Sequence, residues 1–238
     1  MDPRTPSTAT AVIAVDGPSG SGKSSVSRGV ARELGLRYLD TGAMYRAITW
    51  AVLRDGVPAS DPAAVASAAC SASLEWSTDP DESWIRVDGV DVSRAIREQS
   101  VTSAVSAVAA VPEVRALLVD LQRGAVRSAL AVEQGIVVEG RDIGAVVLPD
   151  ADLKVWLVAD PGVRAARRAA EDAAAGRAHV TSSESIAADL ARRDAADASR
   201  AASPTTQAED AVVVDATHLG LAEVVAAVVG LARERMGA

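Results

Sequence analysis

The sequence lacks phenylalanine altogether and has a single cysteine, Cys70, among its 238 residues. One cysteine cannot form an intramolecular disulfide, so a reducing compartment such as the cytoplasm is the natural setting, and we expect Cys70 to be a small buried apolar residue. No apolar run approaches the ~18 residues of a membrane-spanning helix. Residues 1–10 lack the basic start and apolar core of a signal peptide. The sequence therefore predicts a soluble cytoplasmic chain.

Basic residues are also in the minority, with 24 Lys and Arg against 32 Asp and Glu and a formal net charge of −8. Nucleic acids and anionic membranes attract clustered Lys and Arg, so the charge argues against both as partners. An anionic substrate would need a local basic site. The length and composition fit one α/β domain over residues 11–238 behind a disordered tail at 1–10, and we expect a monomer.

Alternating strand and helix signals indicate a parallel sheet. The run at 11–16 is apolar, rich in β-branched residues and followed by a glycine cluster, as a buried parallel strand would be. In the next segment Val26, Val30 and Leu34 fall four apart on one helix face, and Gly35 stands at the position of a C-terminal cap. Helical stretches separate further buried-strand candidates at 135–139, 153–159 and 211–215. This alternation predicts a parallel sheet with helices on both faces.

Two segments add features to that frame. Residues 83–87 and 90–92 flank Asp88 and Gly89, a pair suited to a type I′ hairpin turn, which predicts a small antiparallel insertion. From residue 182 onward, apolar and then charged residues follow helical three-four spacing along one helix face. The apolar end of this face can pack against the protein, and the charged end can hold an anion.

Residues 17–24 read GPSGSGKS and match the G-x-x-x-x-G-K-[ST] pattern between a predicted strand and helix, which is the context the pattern requires. Glycines let the backbone N–H groups approach a phosphate, and the helix N-terminus adds positive potential. Lys23 is expected to contact the β and γ phosphates, and Ser24 to ligate Mg²⁺. The predicted ATP-binding residues here are Gly17, Pro18, Ser19, Gly20, Ser21, Gly22, Lys23, Ser24 and Ser25.

Three further motifs follow in order: DTGAMYR at 40–46, EGRDIG at 139–144 and RDAADASR at 193–200. With the phosphate loop they resemble the bacterial cytidylate (CMP/dCMP) kinase family along roughly residues 11–232. The resemblance implies a three-layer P-loop NTPase fold with a central parallel sheet. It also implies an antiparallel acceptor-binding insertion over approximately 63–115 and a helical lid over approximately 161–204. The implied reaction belongs to pyrimidine nucleotide metabolism: ATP and Mg²⁺ convert CMP or dCMP to CDP or dCDP.

Acceptor-binding residues follow from the same resemblance. Arg46, with Thr41 and Tyr45 nearby, matches the arginine that grips the acceptor phosphate, a task that suits a planar guanidinium. Arg141 matches an arginine that binds the monophosphate. Asp142 matches the aspartate that accepts from the cytosine amino group, which uracil lacks.

The resemblance assigns Ser106 and Arg115 to the pyrimidine base, Arg193 and Asp197 to the sugar, and Arg200 to the acceptor phosphate. It places a lid whose helix opens with Arg164, Arg167 and Arg168, of which Arg167 is assigned to ATP. The implied catalytic residues are Lys23, Arg141 and Arg200. A general base is unnecessary, because the acceptor phosphate is already largely ionised at neutral pH.

Two alternatives remain open from the residues. A P-loop kinase for UMP, AMP or shikimate would share residues 17–24 but has no particular need for Ser106, Arg115 and Asp142 together. A GTP-dependent switch needs an N-K-x-D type segment, and none is present in the sequence. The phosphate loop alone does not distinguish these classes.

Overall fold

A computed structural model of the chain describes residues 8–174, 183–198 and 205–237. The strands are β1 (Val12–Asp16), β2 (Arg37–Asp40), β3 (Leu74–Trp76), β4 (Ile85–Val87), β5 (Val90–Asp91), β6 (Ile136–Glu139), β7 (Leu153–Val158) and β8 (Val212–Asp215). The α-helices are α1 (Lys23–Leu34), α2 (Thr41–Arg54), α3 (Pro62–Ser71), α4 (Gln99–Ala109), α5 (Pro112–Leu130), α6 (Pro161–Ala174), α7 (Ser183–Ala198) and α8 (Leu221–Arg235). Short 3-10 turns occupy Thr8–Thr10 and Ala95–Arg97, and a π-helical turn occupies Ile143–Val147.

The main sheet has five parallel strands in the order β2-β6-β1-β7-β8. Strand β1 lies at its centre, paired with β6 on one side and β7 on the other. All carboxyl ends therefore meet at one edge of the sheet, where ligands bind in open α/β folds. The four strands of this sheet that were predicted with bounds, now β1, β6, β7 and β8, agree with the observed ones to within one residue at each end.

Apolar clusters cover both faces of this sheet, which confirms the predicted layers. On one face Ile48 of α2 and Leu118 of α5 pack against β6. On the other, α1 with Val30 packs against β1, and α8 with Val228 packs against α1 and β7. Helix α1 ends as predicted: Gly35 has φ 68° and its N–H reaches the carbonyls of Ala31 and Arg32. Each face thus holds its own core, and β1 is buried between them.

The predicted antiparallel insertion is a three-stranded sheet in the order β3-β4-β5. Asp88 and Gly89 have φ values of 52° and 77°. Left-handed backbone at both turn positions is what a type I′ hairpin requires. Helix α2 packs against β4, so the insertion stands beside the carboxyl end of β2.

Two expectations from the sequence are wrong. Thr8–Thr10, expected in a disordered tail, form a 3-10 turn, and the Ala9 carbonyl accepts a hydrogen bond from Gly135 N–H at 2.7 Å. Cys70, expected to be buried, is exposed. Helix α3 buries only the face that carries Val65 and Ala69, and Cys70 falls outside that narrow stripe. Within the described ranges, no helix combines the length and the apolarity needed to cross a membrane.

Candidate active site

A cavity of about 200 Å³ lies at the carboxyl edge of the main sheet, between the phosphate loop, the insertion and the helices α6 and α7. It brings together residues from all four sequence motifs and from the stretch around α4 and α5. The predicted site residues that line it are Ser19, Gly20, Gly22, Lys23, Ser24, Thr41, Tyr45, Arg46, Ser106, Arg115, Arg141, Asp142, Arg193 and Asp197. Among the other predictions, Gly17, Pro18, Ser21, Ser25 and Arg167 lie outside its lining, and Arg200 lies outside the described residues.

The phosphate loop depends on glycine for its shape. Gly17 has φ 149°, and a Cβ there would stand 2.1 Å from the Leu157 carbonyl oxygen, so only glycine fits between the loop and β7. Gly22, with φ 95°, turns the chain directly into α1. The loop therefore delivers Lys23 and Ser24 at the helix N-terminus, where backbone N–H groups are available to an anion.

Lys23 is buried and its Nζ donates to the Pro18 carbonyl at 2.7 Å. Burial lowers the pKa of Lys23, and the nearby Arg141 guanidinium lowers it further, while Glu139 and Asp16 act in the opposite direction. An ammonium held at such a site gains from any additional negative charge placed beside it. A triphosphate in the loop would supply that charge.

Glu139, the last residue of β6, is buried and lines the cavity. The Tyr38 hydroxyl donates a hydrogen bond to its carboxylate. Burial raises the pKa of Glu139, as does the nearby Asp40 carboxylate, whereas bonds from Tyr38 and Ser24 oppose the rise. Sequence reasoning gave Glu139 no role, although a carboxylate ending a buried strand was a usable signal.

Arg46 lies on α2 and lines the cavity. Its Nη1 donates to the Ile96 carbonyl at 3.1 Å and to Thr102 Oγ1 at 2.9 Å, which fixes the guanidinium. Burial lowers the pKa of Arg46, and the charges of Arg193, Arg97 and Arg168 add to this effect. A guanidinium stays charged in proteins, so a buried Arg46 with three other arginines nearby favours an anion as its partner.

Arg97 and Arg168 were not assigned to this positive cluster by sequence reasoning. Both line the cavity. Arg97 is the last residue of the 3-10 turn before α4, and its Nη2 lies 3.8 Å from Asp40 Oδ2. Arg168 donates to Asp172 at 3.0 Å along α6. An arginine just before a helix of a predicted insertion gives little signal of its own. Their convergence depends on the packing of three separate elements.

Arg115 and Asp142 form a buried ion pair, with 5% of each residue exposed. Arg115 Nη2 donates to Asp142 Oδ2, and the Arg115 guanidinium stands 5.9 Å from the centroid of the Tyr45 ring. Helices α2 and α5 and the loop after β6 thus meet at one end of the cavity. A planar guanidinium, a carboxylate and an aromatic ring together offer donors, acceptors and an apolar face to a base.

Thr41 and Ser106 are bonded within the protein. Thr41 Oγ1 donates to the Glu139 carbonyl at 2.7 Å, which holds the start of α2 on β6. Ser106 Oγ donates to Asp197 Oδ1 at 3.3 Å, linking α4 to α7. Both hydroxyls remain on the cavity wall, but each one also joins two elements.

Arg141 connects the loop to α7. Its Nη1 donates to the Gly17 carbonyl at 3.1 Å, its Nη2 to Ser19 Oγ at 2.7 Å, and its Nε to Asp197 Oδ2 at 3.2 Å. It therefore stands between the phosphate loop and α7 on the wall of the cavity. Such a position allows one guanidinium to contact groups bound on either side of it.

Helices α6 and α7 reach over the loop. Asp194 accepts from the Ser19 backbone N–H at 2.9 Å and from Arg164 Nη1 at 2.5 Å. Arg167 donates to the carbonyls of Ser21 and Ala216, at 3.2 and 2.6 Å, and so ties the loop to the turn after β8. Sequence reasoning missed Asp194, whose partner is distant in the chain.

Arg193, predicted beside Asp197, is held near the cavity with its Nε buried and without a hydrogen-bond partner. Burial lowers its pKa, and the charge of Arg141 lowers it further. A buried donor without a partner is costly, so an arriving oxygen ligand would be stabilised there.

Comparisons with known proteins point in one direction. A family model described as Cytidylate kinase matches residues 13–234. Three relatives named Cytidylate kinase cover nearly the whole chain. The one from Streptomyces avermitilis is 52% identical over 227 residues, covering 95% of this chain and 94% of the relative. That from Rhodococcus opacus is 52% identical over 234 residues, covering 97% and 98%. That from Streptomyces coelicolor is 53% identical over 230 residues, covering 97% and 96%.

A solved structure of a gluconokinase from Sinorhizobium meliloti is similar at 20% identity and a TM-score of 0.44, over 95% of this chain and 94% of that chain. Likeness at this level has no bearing on the substrate.

Proposed function

Because the chain belongs to the cytidylate kinase family and transfers the γ-phosphoryl group of ATP to CMP, we propose that the cavity has a donor half and an acceptor half that meet at Arg141. The observation that supports this division is the single cavity shared by the phosphate loop and the Arg115–Asp142 pair. A kinase for UMP, AMP or shikimate is not favoured by the family match. A GTP-dependent switch is not favoured either.

In the donor half, the inward N–H groups of residues 17–24 hold the phosphates of ATP, and Lys23 contacts the β and γ phosphates. The support for this role is the position of Lys23 at the N-terminus of α1, buried and close to the loop carbonyls. Arg167 of α6 donates a hydrogen bond to the Ser21 carbonyl of the loop and supports ATP binding by holding the loop in place. Charge that develops during transfer is stabilised by fixed donors, which need little reorganisation.

In the acceptor half, Arg46 binds the phosphate of CMP, and Arg200 is assigned to the same phosphate by its place in the motif. The positive cluster around Arg46 supports this role. Asp142 accepts from the cytosine amino group, and Arg115 with Ser106 completes the base contacts. Arg193 and Asp197 face the sugar from α7. We propose that dCMP uses the same contacts.

The reaction needs positioning rather than a base. Arg141 lies between the two halves and can contact the phosphoryl group throughout its transfer from ATP to CMP. Lys23 contacts the same group from the donor side. The electrons of the breaking bond stay on the β-phosphate oxygen of ADP, and an oxygen of CMP forms the new P–O bond.

We propose Mg²⁺ as the cofactor, with Ser24 as its protein ligand. Ser24 lies at the loop exit with a bond to the buried Glu139, so hard oxygen ligands are close together. Among the described residues, no group of three or more His, Cys, Asp or Glu could hold a metal alone. That suits Mg²⁺, which usually takes one or two protein ligands and completes its shell with phosphates and water. When bound, it offsets phosphate charge.

An acceptor panel tests the substrate assignment. Purified protein with ATP and Mg²⁺ is offered CMP, dCMP, UMP, AMP and shikimate, and ADP release is followed by a coupled assay. We expect CMP and dCMP to give the highest kcat/KM. A higher kcat/KM for UMP or AMP would overturn the base-reading role of Asp142. We also propose that the enzyme is cytoplasmic and monomeric. Light scattering during size-exclusion chromatography measures its mass and so checks the monomer.

A further inference from the structure

Asp16 is the last residue of β1 and directly precedes the phosphate loop. Its two carboxylate oxygens accept from two successive backbone amides, Ile143 N–H and Gly144 N–H, each at 2.8 Å. Only 4% of Asp16 is exposed. The carboxylate thus fastens the end of the central strand to the loop that follows β6.

That loop carries the residues proposed to bind CMP. Arg141 and Asp142 immediately precede the π-helical turn Ile143–Val147, and Asp142 occupies the position before its first residue. Turns of this kind are rare and are often found at functional sites. The first amides of such a turn have no partner inside it and need an acceptor from elsewhere.

An aspartate just before a helical turn would ordinarily cap that turn with its own side chain. Asp142 makes no such capping bond. Asp16 takes the amides instead, and the Asp142 carboxylate is directed to Arg115. The two aspartates therefore have separate tasks, and the second depends on the first.

Keeping this carboxylate in place has a cost. Burial raises the pKa of Asp16 to about 6, and the charge of Asp142 contributes, while the two backbone bonds lower it. A residue that served only to fill the space between β1 and the turn would be better replaced by a neutral one.

We propose that Asp16 is a positioning residue for CMP: by capping the turn at Ile143 and Gly144, it holds Asp142 and Arg141 in the geometry that receives the nucleotide. The proposal rests on the CMP-binding role of Asp142 and Arg141 given above. Asp16 touches neither substrate. It acts through the backbone of the acceptor loop, although it adjoins the donor loop in sequence.

The test is Asp16→Asn, measured by calorimetric titration of CMP and of ATP into separate samples. The asparagine side chain has the same size, but its NH₂ group would face the N–H of Ile143 or Gly144. Two donors cannot bond to each other, so one of the two hydrogen bonds is lost. We expect CMP affinity to fall roughly tenfold to a hundredfold, the usual effect of losing a charged hydrogen bond. ATP affinity should stay within about threefold of the wild type.

Asp152→Asn is the matched control, because Asp152 Oδ2 accepts from Val12 N–H at 2.8 Å at the opposite end of the same strand. It should leave both affinities unchanged within about threefold. If Asp16→Asn fails to give the wild-type circular dichroism spectrum, Asp16→Ser, which is smaller and keeps one oxygen acceptor, replaces it. The same loss of CMP affinity is expected.

Asp142→Ala distinguishes a failure of the positioning role of Asp16 from a failure of the CMP-binding role of Asp142. If Asp142→Ala loses CMP affinity and Asp16→Asn does not, the positioning role is refuted while the acceptor assignment stands. If neither variant loses CMP affinity, the acceptor assignment itself fails. Equal losses of CMP and ATP affinity in Asp16→Asn, with Asp152→Asn unaffected, would also refute the proposal, since Asp16 would then act on the phosphate loop. In a double-mutant cycle, Asp16→Asn and Asp142→Ala should be less than additive.

Discussion

The Arg115 guanidinium and the Asp142 carboxylate form an ion pair, and each residue is almost completely buried. Residues 115 and 142 belong to a helix and a loop that are separated by 27 positions in the sequence. An ion pair of this kind has two functions, because it joins α5 to the loop after β6 and presents a carboxylate oxygen to the cavity.

Asp142→Ala is expected to lower both CMP use and stability. Removing one partner leaves Arg115 as an unpaired buried charge, which costs about 3–5 kcal/mol. At this chain length the melting temperature falls by about 2–4 °C for each kcal/mol. Differential scanning calorimetry and the KM for CMP measure the two effects, and ATP binding should persist. A variant that loses ATP affinity as much as CMP affinity would contradict the base-reading role.

Lys23→Met is expected to reduce kcat by about a hundredfold or more, because one charged donor to the developing phosphate charge is lost. The methionine keeps the length of the buried side chain, so the fold should persist. Single-turnover measurement of ADP formation isolates the chemical step. Circular dichroism checks the fold. If kcat stayed within a factor of about three, Lys23 would have no part in transfer.

Arg46→Met is expected to stabilise the free protein while abolishing tight CMP binding. The guanidinium is surrounded by the like charges of Arg193, Arg97 and Arg168, and its removal relieves that repulsion. Thermal unfolding with and without CMP gives the readout. CMP should raise the melting temperature of the wild type but not of the variant. A variant that responds to CMP as the wild type does would refute Arg46 as the site of the acceptor phosphate.

The stability of Asp16→Asn relative to wild type is expected to rise with pH. The folded pKa of Asp16 is about 6 against 3.8 in the unfolded chain. Below pH 3.8 the group is protonated in both states, and above about 6 the folded state must hold a buried charge. The wild type therefore loses up to about 3 kcal/mol relative to the variant across this window. Urea unfolding of both proteins at several pH values measures this difference in the free energy of unfolding. A difference that stays constant with pH would show that the pKa of Asp16 is not raised in the folded protein.

Local features of the fold were predictable because local physics determines them. Backbone angles that are set within a few residues require the glycines of the phosphate loop, the Gly35 cap and the Asp88–Gly89 turn. Strand limits follow from apolar runs in the same way. These signals do not depend on which strand becomes the neighbour of which.

The missed residues depend on that neighbour relation. Asp16 meets Ile143 across 127 positions, and Asp194 meets Ser19 across 175. Alternating strands and helices predicted a parallel sheet but not the order β2-β6-β1-β7-β8, and only that order places Asp16 beside the loop after β6. Glu139 and Arg97 were likewise visible in the sequence but had no partner assigned.

Cys70 gives this enzyme a ready attachment point for a reporter. No second thiol exists in the sequence to compete with it, and its side chain is exposed on the first helix of the insertion. A maleimide dye would therefore label the unmodified protein at one position.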